Sequence, residues 1–270
     1  MVTIQRSLIL RLPLLLVLLV AGPLCPASSA AAPPAFQDDE LPDKRPEVKE
    51  LCETLRDHAK ARGEEDREAV AVIDTLIQEF PNSGPKDRAM IVKELSKCLE
   101  KPRKETEAGF DNTLFIAVAV ALGEMAPESA KTLIGWVDHK KHRKNLELQR
   151  RLILSLGRTK DGKGLKTLEG LLQHHQDMLV AAAAEAIGEY SEHKLKERKA
   201  AFHEMLKLLM GLKAAVDQDA TDVRSRERYD AVAAPIITSL QRLSGHDERS
   251  PEKWERWWNK NKKKDWDEAD

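Results

Sequence analysis

Cysteine is scarce in this 270-residue chain. It has three, Cys25, Cys52 and Cys98, and no C-x-x-C pair. That excludes a disulfide-built scaffold and a dithiol redox motif. An excess of one charge is also lacking: 44 lysines and arginines face 45 aspartates and glutamates. Such a balance gives no whole-protein drive toward nucleic acid or anionic lipid. No stretch alternates apolar and polar residues long enough to read as a strand. Apart from the N-terminus, no apolar run is long enough to cross a bilayer, which takes about 20 residues. The Gly-x-Ser-x-Gly nucleophile elbow is missing. Asp161-Gly162-Lys163-Gly164 lacks the preceding strand and the Gly-Lys-Ser/Thr ending of a phosphate loop. The histidines do not assemble: His139 and His142 are three apart and His174 and His175 adjacent, with no cysteine or carboxylate at a zinc-like spacing. Neither a metal nor a cofactor is expected.

What is present begins with an address. Arg6 and Arg11 precede or open an apolar run, Leu12 to Ala21, and Ala27-Ser28-Ser29-Ala30 supplies small residues for cleavage. Basic, apolar and small-residue regions in that order read as a secretory signal peptide over 1–30. Two other readings stay open: a lipoprotein acylated at Cys25, against which Leu24 speaks, and an uncleaved anchor. The expected location is periplasmic or extracellular. Cleavage after Ala30 would leave 42 basic and 45 acidic side chains, a net of −3. Residues 31–45, rich in alanine and proline and then acidic, read as a flexible lead-in.

From Pro46 onward the apolar residues keep a helical period. Val48, Leu51, Cys52, Leu55 and Ala59 form one stripe, and Ala69, Val72, Ile73, Leu76, Ile77 and Phe80 a second. Ile91, Val92, Leu95, Cys98 and Leu99 make a third. The segment 113–125 is apolar nearly all round and should be sandwiched between neighbours. Helices are further predicted near 128–138, with Pro127 favoured in the first turn, and near 145–157, 164–174, 177–190 and 197–213. Tyr229 to Leu243 gives the clearest stripe, with Pro235 predicting a kink or a break. Ser250-Pro251-Glu252 opens a last helix, 250–262, ahead of a charged tail, 263–270, that should be frayed.

Three of these helices end alike: Ala121-Leu122-Gly123-Glu124, Ser155-Leu156-Gly157-Arg158 and Ala186-Ile187-Gly188-Glu189. Their glycines stand 34 and 31 residues apart, and self-similarity at such a period marks a solenoid, in which stacked helix pairs bury what one pair cannot. The glycine either lets the chain turn or lets a neighbouring backbone approach closely. With the Asp161 turn and the alanine-rich stretch 181–186, residues 112–190 resemble HEAT repeats. They are most like the short bacterial kind found in phycobilisome-lyase-type repeat proteins. Weaker versions extend it back to Pro46 and forward to Leu243, within a solenoid expected over 46–262. The ending Leu243-Ser244-Gly245-His246, followed by Trp254-Glu255-Arg256-Trp257-Trp258, is similar to the close of some exported bacterial HEAT-repeat proteins. Departures are that the N-terminal helices lack the Leu-Gly ending and that a long charged segment follows the helix at 197–213.

The resemblance implies an all-α fold, an α-solenoid of antiparallel helix pairs with a concave binding surface, and no reaction. HEAT-like iron hydroxylases use several His-Glu pairs; this chain has only His203-Glu204. The expected function is therefore that of a non-catalytic scaffold for a protein partner. The rival is an enzyme or accessory subunit acting on a polyanion or carbohydrate. Candidates on the concave face are Arg150, Arg151, Glu185 and Glu189. The basic run Lys140, Lys141, Arg143 and Lys144 offers an anion-binding loop, though solvated loop charge explains it as well. Trp254, Trp257 and Trp258 share one helix face, either capping the stack or forming a ligand platform. For Cys52 and Cys98, export makes a disulfide open to them, as is the reading of two small buried hydrophobes.

Overall fold

The computed structural model describes residues 41–61 and 63–267. The signal peptide, its alternatives and residues 31–40 of the lead-in lie outside the described residues. Among those described, the chain is all-helical with no strand. The helices are α1 (Pro46–Lys60), α2 (Asp66–Glu79), α3 (Pro85–Cys98), α4 (Thr113–Glu124), α5 (Ala130–Trp136) and α6 (Leu146–Arg158). They continue with α7 (Gly162–Leu171), α8 (Asp177–Ile187), α9 (Leu195–Gln218), α10 (Val223–Ser244) and α11 (Pro251–Asn261). None of these helices is long and apolar enough to cross a membrane.

Local chemistry sets the starts. Proline opens α1, α3 and α11, where a missing N–H costs nothing. Asn145, Asp161, Asp222 and Ser250 each accept a hydrogen bond from a first-turn backbone N–H of α6, α7, α10 and α11. Gly245, left-handed at φ 68°, closes α10, a conformation that favours glycine.

The even-numbered helices succeed one another in space: α2 packs on α4, α4 on α6, α6 on α8 and α8 on α10. The odd-numbered helices flank this row, with α1 against α3, α5 against α7 and α9 against α11. A row helix meets neighbours on both sides and so needs apolar residues around most of its girth. That is why α4 and α8 carry almost no polar face: Leu114, Phe115, Val118, Ala119, Ala121 and Leu122 of α4 are all buried.

The repeated glycines sit where successive row helices touch. A Cβ on Gly123 would lie 3.0 Å from the Cβ of Ser155. One on Gly157 would lie 2.7 Å from Ala186 Cβ and 2.8 Å from its Cα and carbonyl oxygen. One on Gly188 would lie 2.7 Å from the hydroxyl of Ser239. Each glycine of the motif thus receives a small residue from the next row helix. In α6 and α8 that residue, Ser155 or Ala186, stands two places before the helix's own glycine. Gly188 keeps helical backbone angles, so close approach rather than a turn is what the glycine provides here. Ser239 uses the proximity to donate a hydrogen bond to the Ala184 carbonyl, 2.7 Å away.

Several local expectations change. Residues 41–45 are docked rather than loose: the Asp43 carboxylate accepts from the N–H groups of Lys86 and Asp87, and Asp87 accepts from those of Lys44 and Arg45. Negative charge at the start of α3 explains the attraction. Helix α5 is shorter than predicted. Pro127 precedes it in a turn closed by Ser129 N–H to Met125 and Ala130 N–H to Pro127. Pro235 does not break α10, which runs through it; burial of Val232, Ala233, Ile236 and Leu240 outweighs the one hydrogen bond that proline forfeits. The charged segment after 213 is mostly helix, with a Lys213–Asp217 pair one turn apart in α9 and only Asp219–Asp222 between α9 and α10. The tail folds back as far as Asp267: Trp266 packs on Phe202 and its indole N–H donates to the Asn261 carbonyl, 3.0 Å away.

Candidate functional site

The long connection between α3 and α4, residues 99–112, runs beside a group of lysines that make no ion pair among the described residues. Its anchor is Arg103, which donates to both carboxylate oxygens of Asp66 at the start of α2 and to Asp111 at 3.1 Å. The same guanidinium lies 5.2 Å from the centre of the Phe115 ring. Arg103 is thereby neutralised and held. Cavities open on both sides of this strap. One, of about 620 Å³, lies among α1, α3 and α4, with Ala59, Leu114 and Phe115 in its walls. The other, of about 510 Å³, lies between the strap and the α5–α6 connection. Pro102, Arg103 and Lys104 line both.

The α5–α6 connection brings the predicted basic run to the second cavity. Lys140, Lys141 and Lys144 line it, joined by Lys104 from the strap. None of these four ammonium groups has a carboxylate partner among the described residues; Lys141 leans toward the Trp136 ring at 5.9 Å. Glu105 is the single carboxylate in the lining. Arg143 does not join them. It lies 3.7 Å from Asp138 and does not line the cavity.

Buried groups below hold the connection rigidly. His142 is 2% exposed, and its Nε2 bonds the Leu99 carbonyl at 2.7 Å. Phe115 and Trp136 pack around the ring. Burial holds the imidazole below the usual histidine range, against the Leu99 carbonyl, which favours the charged form. Asn145 caps α6 and exchanges amide hydrogen bonds with Asn112, which precedes α4, at 2.7 and 3.3 Å. Asn112 also donates to Glu147 at 2.7 Å. The starts of two row helices are so tied beneath the lysines. Lys104, Phe110, Asn112 and Asn145 do not stand out in the sequence as site residues. The run Lys101-Pro102-Arg103-Lys104 is the visible signal for the first of them.

The other candidates are placed differently. Arg150 lies 3.7 Å from Glu185, bridging α6 and α8, and Glu189 accepts from Arg242 of α10 at 2.9 Å. Arg151 is half-buried. Arg150, Glu185 and Glu189 thus spend their charge on ion pairs between neighbouring parts of the row. Trp254 is fully buried, edge-on to Phe202. Trp257 and Trp258 are half-buried, stacked against His246 and His203 respectively. Trp258 also stacks on Phe202. Helix α11 thus lies over α9 through a shared aromatic cluster.

Cys52 and Cys98 are not joined; both are free, buried thiols. Cys98 bonds the Glu94 carbonyl within its own helix, at 3.5 Å. Burial, with the Glu94 charge adding to it, pushes both thiols up to about 12, which makes them inert as nucleophiles at neutral pH. Among the described residues no three histidine, cysteine or carboxylate groups are placed to hold a metal ion. No protein-family model, curated protein or solved structure matches the chain.

Proposed function

We propose that the chain is an exported, HEAT-like α-solenoid that works by binding a protein partner, without catalysis. The reading is supported by the succession α2, α4, α6, α8, α10, which contacts through one repeated device, a glycine against a small residue. Such a stack builds a continuous core and leaves a long face free for a partner. The observation that carries binding is the convergence of Lys104, Lys140, Lys141 and Lys144 on one cavity without carboxylate partners. Four like charges repel one another, and a protein near charge balance has carboxylates to spare for pairing them. Leaving them unpaired raises the local potential, which an anionic group can satisfy.

The test is capture from an envelope extract of the source organism with the immobilised chain, washed at low and high salt. One protein retained in near-stoichiometric amount, and rebinding after purification, is the expected result. Loss of that protein at high salt would implicate the lysines. Retention of no protein at either salt would contradict the scaffold reading. The alternative, an enzyme or accessory subunit for a carbohydrate or polyanion, draws on the tryptophan cluster, whose half-buried Trp257 and Trp258 retain some exposure.

A further inference from the structure

The cleft between the strap and the α5–α6 connection is mixed in character. Its rim is cationic, but Pro102 and Phe110 present carbon surface, and Glu105 places a carboxylate among the lysines. All four cations are lysines, which act as point charges rather than planar forks. A ligand charged along its whole length, such as a polyphosphate or sulfated glycan, would set anionic groups against Phe110 and Glu105. A chain that alternates carboxylates with apolar side chains meets the lysines with its carboxylates and the carbon surface of Phe110 and Pro102 with its apolar groups.

We propose that this cleft receives an acidic segment of a partner protein, its carboxylates on Lys104, Lys140, Lys141 and Lys144 and an apolar side chain against Phe110 and Pro102. The inference rests on the reading of the chain as a protein-binding scaffold and names the chemistry of the partner. The site is preorganised, because Arg103, His142 and the Asn112–Asn145 pair fix both walls from below. The lysines themselves are exposed and make no structural ion pair among the described residues. Their replacement should therefore leave the fold intact.

The test uses the full chain and a fluorescein-labelled dodecapeptide of repeated Glu-Glu-Leu, titrated by anisotropy at low salt. Its counterpart with glutamine for glutamate and unlabelled inorganic polyphosphate serve as comparators. Wild type should bind the glutamate peptide and not the glutamine peptide. The variant K140E/K141E/K144E, and separately K104E, should unfold at the wild-type temperature. The triple variant should bind the glutamate peptide roughly tenfold more weakly or worse. Equal affinity of wild type and the triple variant overturns the proposal. So does polyphosphate that competes from the same lysines more tightly than the peptide binds, which would assign the cleft to a polyanion. If the triple variant still captures the wild type's envelope partner, the cleft assignment falls and the scaffold reading stands. If wild type captures no protein, the scaffold reading falls, and the peptide titration decides the cleft on its own.

Discussion

Gly157 concentrates the logic of the repeat in one missing carbon. The atoms a Cβ would strike include the Cα and carbonyl oxygen of Ala186, backbone that cannot swing aside. Overpacking of this kind costs about 1–3 kcal/mol, more than the roughly 1 kcal/mol that alanine recovers in helix propensity. Gly157→Ala should therefore destabilise the protein in urea titrations. Gly123→Ala should do so less, because Ser155 stands slightly farther off. Gly211, exposed within α9 with nothing inside 4 Å of where a Cβ would stand, is the control. Gly211→Ala should raise stability by about 0.5–1 kcal/mol. At the same scale, His142 makes stability depend on pH. Its folded pKa is depressed, so between that value and the unfolded 6.5 the unfolded chain binds more protons. Stability should fall as pH drops below 6.5, by at most about 1.4 kcal/mol per pH unit from this one group. His142→Gln, which keeps a donor for the Leu99 carbonyl but does not titrate, should flatten the melting-temperature profile between about pH 7 and 5. His174, also held low by burial, will leave a residual slope.

Elements were more legible in the sequence than what joins them. The 3.6-residue period of Val48, Leu51, Cys52 and Leu55, or of Phe202, Met205, Leu206 and Leu209, reports burial on one face, and the helices lie where those stripes run. The Leu-Gly endings disclosed a repeat but not which of two duties the glycine performs, since that depends on how near Ser155 or Ala186 comes. The connections followed other rules. Asp43 binds a helix start 43 residues away, and α9 continues past 213 with Ala215 and Val216 half-buried and Lys213 paired with Asp217 one turn on. The basic cleft was half visible for the same reason: Lys104 and Lys140 are far apart in sequence and line one cavity only in the folded chain, where Arg103 anchors the strap. Helix α11 offers a test at this scale. Trp254 is fully buried against Phe202, so Trp254→Ala should cost about 3–5 kcal/mol, read by circular dichroism in a denaturant titration. A cost under about 1 kcal/mol would mean that α11 is not packed as described.

Across the described helices, charge is distributed in two ways. Along the even-numbered row, Arg150 with Glu185 and Arg242 with Glu189 pair between neighbouring helices, which favours register within the stack. Beside the strap, Lys104, Lys140, Lys141 and Lys144 line one cavity and make no ion pair among the described residues. Exposed pairs of the first kind contribute about 0–1 kcal/mol each to stability, and their strength fades with salt. The unpaired group adds nothing to stability through ion pairs, and it is the feature on which the proposed binding role rests. Net charge gave no hint of it, because a balanced total of 44 and 45 conceals any local imbalance. The measurement that bears most directly on the binding account is hydrogen–deuterium exchange of the full chain, alone and with the purified envelope partner. Protection on binding should concentrate in residues 99–112 and 138–146 and disappear with the partner at high salt. Protection confined to α11 and the segment around Trp266, with the strap unchanged, would contradict the account and move the site to the tryptophans.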